Sequence, residues 1–245
     1  MSARLTLKAT VSYGDVDRRE VMLLTRVFKT LQDAAIAHAN QFGAGTQVVA
    51  ERAETWVLSR IAAELERYPK VGEELAVETW STGIKGFKGY REFRVTDAEG
   101  HLILTGSSLW IYFNLATRTI TRVPKPLAER FPVGGETPWC ADLEKLPFEE
   151  PAEPATAVPI TLRYSDFDVN EHVNNASYFD LVQTGLAASG RPVYPRRLQL
   201  KYGKSIPAGA QRVAMKVESR GGAARFAIEG DGAVYAVGAV DGEVA

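Results

Sequence analysis

Apolar residues recur at helical spacing early in the chain. Leu24, Phe28, Leu31, Ala35, His38 and Phe42 fall on one stripe, and Gly43 and Gly45 supply the stop. This spacing predicts a helix over 25–42, with His38 at the edge of its buried face. Downstream the period changes to two. Alternating, β-rich runs at 54–66, 73–82, 86–96 and 101–113 are separated by Pro69, Gly72, Gly83, Gly86 and the turn Asp97-Ala98-Glu99-Gly100, the pattern of an antiparallel meander. A long helix followed by several antiparallel strands implies an α+β unit whose curved sheet buries the apolar stripe of the helix.

The unit occurs twice. Sliding the sequence by 151 residues sets Tyr13-Gly14-Asp15-Val16-Asp17 over Tyr164-Ser165-Asp166-Phe167-Asp168, then Glu20 over Glu171, Phe28 over Phe179 and Gln32 over Gln183. After a shorter connection, Gly72 falls over Gly209 at the head of matching strand-like runs. Between the copies the composition shifts. Eight of the twelve prolines lie between Pro124 and Pro159, together with Glu149, Glu150 and Glu153, so that neither helix nor sheet can continue far. The expected organisation is a first unit over 1–130, a linker over 131–158 and a second unit over 159–245.

The two copies differ in their polar chemistry. In the second, the run from Tyr164 to Asn175 carries Asp166, Asp168, Asn170 and His172 at alternate positions. An extended segment would place all four on one face. From Asn174 onward Ala176, Phe179, Val182, Gly185 and Leu186 follow helical spacing, with Asn174 or Asn175 as N-cap. A carboxylate and an imidazole beside a helix N-terminus suit acid–base work on an acyl group, because the free N–H groups and positive dipole end stabilise a developing oxyanion. In the first copy Arg19 stands in the place of Asn170 and Val21 in that of His172, so one copy carries the motif.

Composition narrows the alternatives. The chain has 245 residues, 45% hydrophobic and 24% charged, with a net charge of −1, which gives no global field for nucleic acid or a membrane surface. No apolar run is long enough to span a bilayer and the first residues lack an apolar signal core, so a cytoplasmic location is the default expectation. Cys140 is the single cysteine, which excludes an intrachain disulfide, and no His stands near it to activate a thiolate. His38, His101 and His172 have no metal-ligand spacing. Neither a metal nor another cofactor is expected.

Several motifs in order carry a likeness. Ser165 to Tyr178, Trp56-Val57-Leu58-Ser59-Arg60, Arg67-Tyr68-Pro69, Glu78-Thr79-Trp80 and Ser107-Ser108-Leu109-Trp110 resemble the acyl-ACP thioesterases, a family of two tandem hotdog domains, over almost the whole chain. The resemblance implies hydrolysis of a fatty acyl thioester on acyl carrier protein, with release of free fatty acid. Carried across by motif, Asp168, Asn170 and His172 are the expected catalytic residues. Asp168 would be base or nucleophile, His172 would hydrogen-bond water or the carbonyl, and Asn170 would orient its partners. A thiolate leaving group, with a solution pKa near ~8.5, departs without a strong general acid.

The likeness breaks at one place. Plant members have a Glu-Cys pair on the strand after the second helix, where this chain reads Leu200-Lys201-Tyr202-Gly203-Lys204-Ser205-Ile206. That excludes a cysteine nucleophile there. For the acyl chain, Val27, Leu31, Ala34, Ala35, Trp56 and Leu58 are pocket candidates. For the acidic carrier protein, Arg191, Arg196, Arg197, Lys201 and Lys204 form the densest basic stretch, and Lys85, Lys88, Arg91 and Arg94 a second. Acyl-CoA as substrate, non-catalytic binding of acyl thioesters, and association into a homodimer are left open. Hydration of an unsaturated acyl thioester fits less well, because Glu171 and His172 depart from that spacing.

Overall fold

A computed structural model of the chain describes residues 2–46, 51–135 and 138–244. Its strands are β1 (Arg4–Thr10), β2 (Glu54–Leu65), β3 (Glu74–Lys85), β4 (Lys88–Asp97), β5 (Leu102–Asn114), β6 (Thr119–Ile120), β7 (Thr156–Thr161), β8 (Arg197–Tyr202), β9 (Arg212–Arg220), β10 (Ala223–Gly230) and β11 (Ala233–Asp241). The helices are α1 (Leu24–Gln41), α2 (Lys125–Arg130) and α3 (Ser177–Ala188). The strands form one antiparallel sheet in the order β1-β3-β4-β5-β2-β8-β11-β10-β9-β7, with β6 on β5. Its halves mirror each other about the β2–β8 pair, where Arg60 opposes Lys201 and Glu64 opposes Arg197. The fold is two tandem hotdog units whose sheets share a central seam.

The internal repeat survives in three dimensions at the spacing of 151 residues. Tyr13–Asp15 and Tyr164–Asp166 are both 3₁₀ turns. Glu20 and Glu171 both take left-handed backbone, at φ 63° and 61°. The repeated phenylalanines meet face to face, Phe28 on Phe179, with ring centroids 3.6 Å apart and planes 3° from parallel. Equivalent residues can stack on each other only where the pseudo-twofold axis passes between them.

Burial of the predicted stripe of α1 makes the core. Leu24, Phe28, Leu31 and Ala35 pack with Phe179, Val182 and Leu186 of α3 against the inner face of the sheet. Two edge strands, β1 and β7, and the short α2 lie outside the predicted runs. Both edge strands pair on one side only, with β3 and with β9. Residues 139–152 run over the outer face. The Trp139 N–H donates to the buried Glu92 carboxylate at 3.0 Å, Glu144 meets Lys88 and Tyr90, and the Ala152 N–H donates to Glu218 at 2.9 Å. No helix among the described residues is long and apolar enough to cross a membrane.

His38 is fully buried rather than at a core edge. Its Nδ1 lies 3.0 Å from an Arg91 amino group, which also donates to Thr79 Oγ1 at 3.0 Å. Burial and the Arg91 charge hold its pKa down to about 4, so the ring is neutral. Arg91 therefore leaves the second basic stretch, because its place on β4 puts it on the inner face. Lys88 of the same stretch is engaged by Glu144.

Candidate active site

The motif is a turn, not an extended strand. Asp166 caps its 3₁₀ turn, accepting from the Arg163 N–H at 2.7 Å and from the Arg163 guanidinium at 2.7 and 3.0 Å. Arg163 also binds Asp180 of α3 at 2.7 Å. Asp166 is thus buried and structural, contrary to the shared face that alternation predicts. The backbone then reverses over Asp168 to Glu171. The Glu171 N–H donates to the Asp168 carbonyl at 3.1 Å, and the Asp168 N–H to the His172 carbonyl at 3.0 Å. Left-handed backbone at the non-glycine Glu171 costs energy that the surrounding bonds must offset. Asp168 and His172 converge because the chain folds back.

Three neighbours set the Asp168 carboxylate. Oδ1 accepts from the Asn170 N–H at 2.9 Å and stands 3.8 Å from His172 Nδ1, while Oδ2 accepts from Asn174 Nδ2 at 3.2 Å. Asn174 Oδ1 in turn accepts from the Ala176 N–H at 2.8 Å, an Asx turn just before α3, whose N-cap is Ala176 and not the expected Asn174 or Asn175; one carboxamide thus orders the approach to the helix and aims the carboxylate. Sequence spacing points to Asn174 or Asn175 at the helix entry but gives no sign of the contact with Asp168. The Asn170 side chain is exposed and His172 is half-exposed. The segment that replaces the plant Glu-Cys pair backs the loop. The Val173 N–H donates to the Ile206 carbonyl at 3.0 Å, Ile206 is buried and Ser205 is exposed.

The silent copy is closed. Asp17 keeps the equivalent bond, from the Arg19 N–H at 2.8 Å, but its other oxygen takes the Tyr194 hydroxyl, and the Arg19 guanidinium lies 4.7 Å over the Tyr194 ring. Burial pushes the Asp17 carboxyl up. The Tyr194 hydroxyl and the Arg19 and Val21 amides outweigh it and leave the pKa below the ordinary value.

Next to the turn that carries the motif is a tight cleft of about 10 Å³, roughly the room of one water. Phe28, Leu31, Gln32, Leu58, Ile61, Phe93 and Trp110 of the first unit line it, with Asn175, Ala176, Phe179 and Tyr202 of the second. Leu31 and Leu58 among the pocket candidates reach it. Val27, Ala34 and Ala35 lie in the adjoining core, and Trp56 packs in a second cluster, 4.9 Å from the Tyr112 ring. Among the basic candidates Arg196 is paired with Glu64 and Glu66, and Arg197 with Glu64. Arg191, Lys201 and Lys204 have no carboxylate partner among the described residues. Asp97, Glu99 and His101 cluster in the β4–β5 turn, remote in sequence from the motif.

Fold and motif together define a tandem hotdog protein with one equipped site. Residues 4–131 match the acyl-ACP thioesterase N-terminal domain and residues 149–240 the C-terminal domain, and the chain belongs to the acyl-ACP thioesterase family. Dodecanoyl-[acyl-carrier-protein] hydrolase of Cinnamomum camphora is 32% identical over 65% of this chain and 44% of its own length. Palmitoyl-acyl carrier protein thioesterase of Gossypium hirsutum is 28% identical over 60% and 38%. The chain spans less than half the length of these curated relatives. In fold it matches a putative oleoyl thioesterase from Lactobacillus plantarum, with a TM-score of 0.83, 22% identity and coverage of 98% of this chain and 95% of that one. The 12:0-ACP thioesterase of Umbellularia californica matches at 0.81, 20% identity and 98% and 97% coverage.

Proposed function

We propose that the chain hydrolyses fatty acyl-ACP thioesters to free fatty acid, with Asp168, Asn170 and His172 as its catalytic residues. The observation that carries this reading is the Asp168 carboxylate, aimed by Asn174 beside a cleft whose walls are apolar. Apolar walls favour a hydrocarbon tail, and a partly exposed carboxylate and imidazole on the turn that leads to the cleft-lining Asn175 favour attack on a carbonyl held nearby. Asp168 either takes a proton from the water that attacks the carbonyl, or attacks the carbonyl itself to form an acyl anhydride that water then cleaves, freeing the fatty acid and restoring the carboxylate. His172 donates to the carbonyl or holds the water, and the thiolate departs.

Arg191, Lys201 and Lys204 would face the acidic carrier, because their charges are not already spent on neighbouring carboxylates. The deciding experiment incubates the protein with acyl-ACP and acyl-CoA of several chain lengths and follows thiol release. Faster release from acyl-ACP is expected. Equal or faster release from acyl-CoA would move the substrate assignment. Binding without release would replace hydrolysis by sensing.

A further inference from the structure

The two copies differ in what stands on one N–H at the entry to the long helix. Under the repeat spacing Leu24 corresponds to Asn175, Thr25 to Ala176 and Gln32 to Gln183. In the silent copy the buried Gln183 carboxamide makes two bonds. Its Oε1 accepts from the Leu24 N–H at 3.2 Å and its Nε2 donates to the Val193 carbonyl at 3.1 Å. A carbonyl oxygen therefore rests on the helix-start N–H beside the closed carboxylate Asp17.

In the active copy neither half of that arrangement is taken. Among the described residues the Asn175 N–H meets no acceptor and the Gln32 carboxamide makes no hydrogen bond. Both residues line the cleft, and Gln32 is half-buried. Leu24 and Asn175 are equivalent under the repeat, although Leu24 opens α1 and Asn175 sits in the turn just before α3, so the Gln183 oxygen serves as a guide to where a carbonyl would sit in the active copy.

We propose that Gln32 is a catalytic residue of the first unit, donating from its carboxamide to the thioester carbonyl while the Asn175 N–H holds the same oxygen. The assignment rests on the thioester reading above and adds to it a polar contact from the opposite unit. A donor aimed at an oxygen that gains charge during attack lowers the barrier more than it strengthens binding, so its loss falls on kcat rather than KM.

The test compares matched variants of the full chain on whichever acyl thioester the wild type cleaves. Gln32→Met keeps length and removes the donor. It should lower kcat tenfold or more, with KM within about twofold and Tm unchanged. Gln183→Met removes the two buried bonds of the silent copy and should lower Tm while leaving kcat unchanged. Should Gln32→Met fold poorly, Gln32→Glu keeps size and polarity but accepts where Gln donates, and the same loss of kcat is expected. Retention of more than half of kcat in the variant that folds overturns the proposal. So does a fall in Tm at Gln32→Met as large as at Gln183→Met. A wild type inactive on both acyl-ACP and acyl-CoA overturns the thioester reading and this assignment together.

Discussion

Asp168 and Asp17 share a backbone setting and differ in what meets the carboxylate, Asn174 and the nearby His172 ring at Asp168 but the Tyr194 hydroxyl and the Val21 amide at Asp17. Asp168→Asn or His172→Ala should therefore lower turnover by about a hundredfold or more with little change in Tm, because each removes an acid–base or polarising group and not core volume. Asp17→Asn should leave turnover intact, and steady-state rates on one acyl thioester compare all three. Two buried titratable groups give a second prediction. Burial raises the Glu92 carboxyl to about 7, so its contribution to stability is full below about 4.5 and is lost as pH rises through about 7. Burial and Arg91 lower His38 to about 4, so its contribution is full above about 6.5 and is lost as pH falls through about 4. The two oppose each other between about 4.5 and 6.5, which predicts a flat Tm there for the wild type. In Glu92→Gln only the His38 branch remains. Tm measured from pH 5 to 8 should then rise with pH in the variant relative to the wild type.

Elements with a strong period of their own were legible. The 3.6-residue stripe predicts 25–42 and the helix is Leu24–Gln41, while the four alternating runs correspond to β2 to β5. Edge strands β1 and β7 were not, because half of each faces solvent and its register comes from the neighbour, not from its own apolar content. The motif was legible as residues but not as geometry. Alternation suits a strand, yet Asp168 and Asn170 are also turn formers, and the left-handed Glu171 reverses the chain. Asn174 joins that turn to α3, so Asn174→Ala should cost about 1 kcal/mol of stability through the lost bond to the Ala176 N–H and lower kcat more than that bond alone explains. Asparagine's second bond, to Asp168, supplies the excess. Denaturant melts beside rates separate the two effects. Further along α3, a Cβ at Gly185 would run into the Met215 sulfur of β9 and crowd the base of that side chain. Gly185→Ala should destabilise by about 1–3 kcal/mol.

At the scale of the molecule the units are held by more than the linker. The β2–β8 ladder, the Phe28–Phe179 stack, the Thr25 hydroxyl donating to the Ala176 carbonyl at 3.0 Å and the Tyr68 hydroxyl donating to the Pro195 carbonyl at 3.0 Å all cross between them. A single proteolytic cut engineered within 148–155 should therefore leave both halves eluting together in gel filtration. Either half expressed alone should aggregate, since β2 or β8 would become a bare edge. The join has a consequence for how such a protein can vary. In a dimer of identical chains every substitution appears twice, at both mouths, so a change that suits the walls of one cleft is imposed on the other. Here the walls of the cleft come largely from the first unit, and the carboxylate proposed to react comes from the second. Under the proposed function, substitutions in α1 and β2 would alter which tail fits without altering the group that attacks, and each property could drift under its own selection.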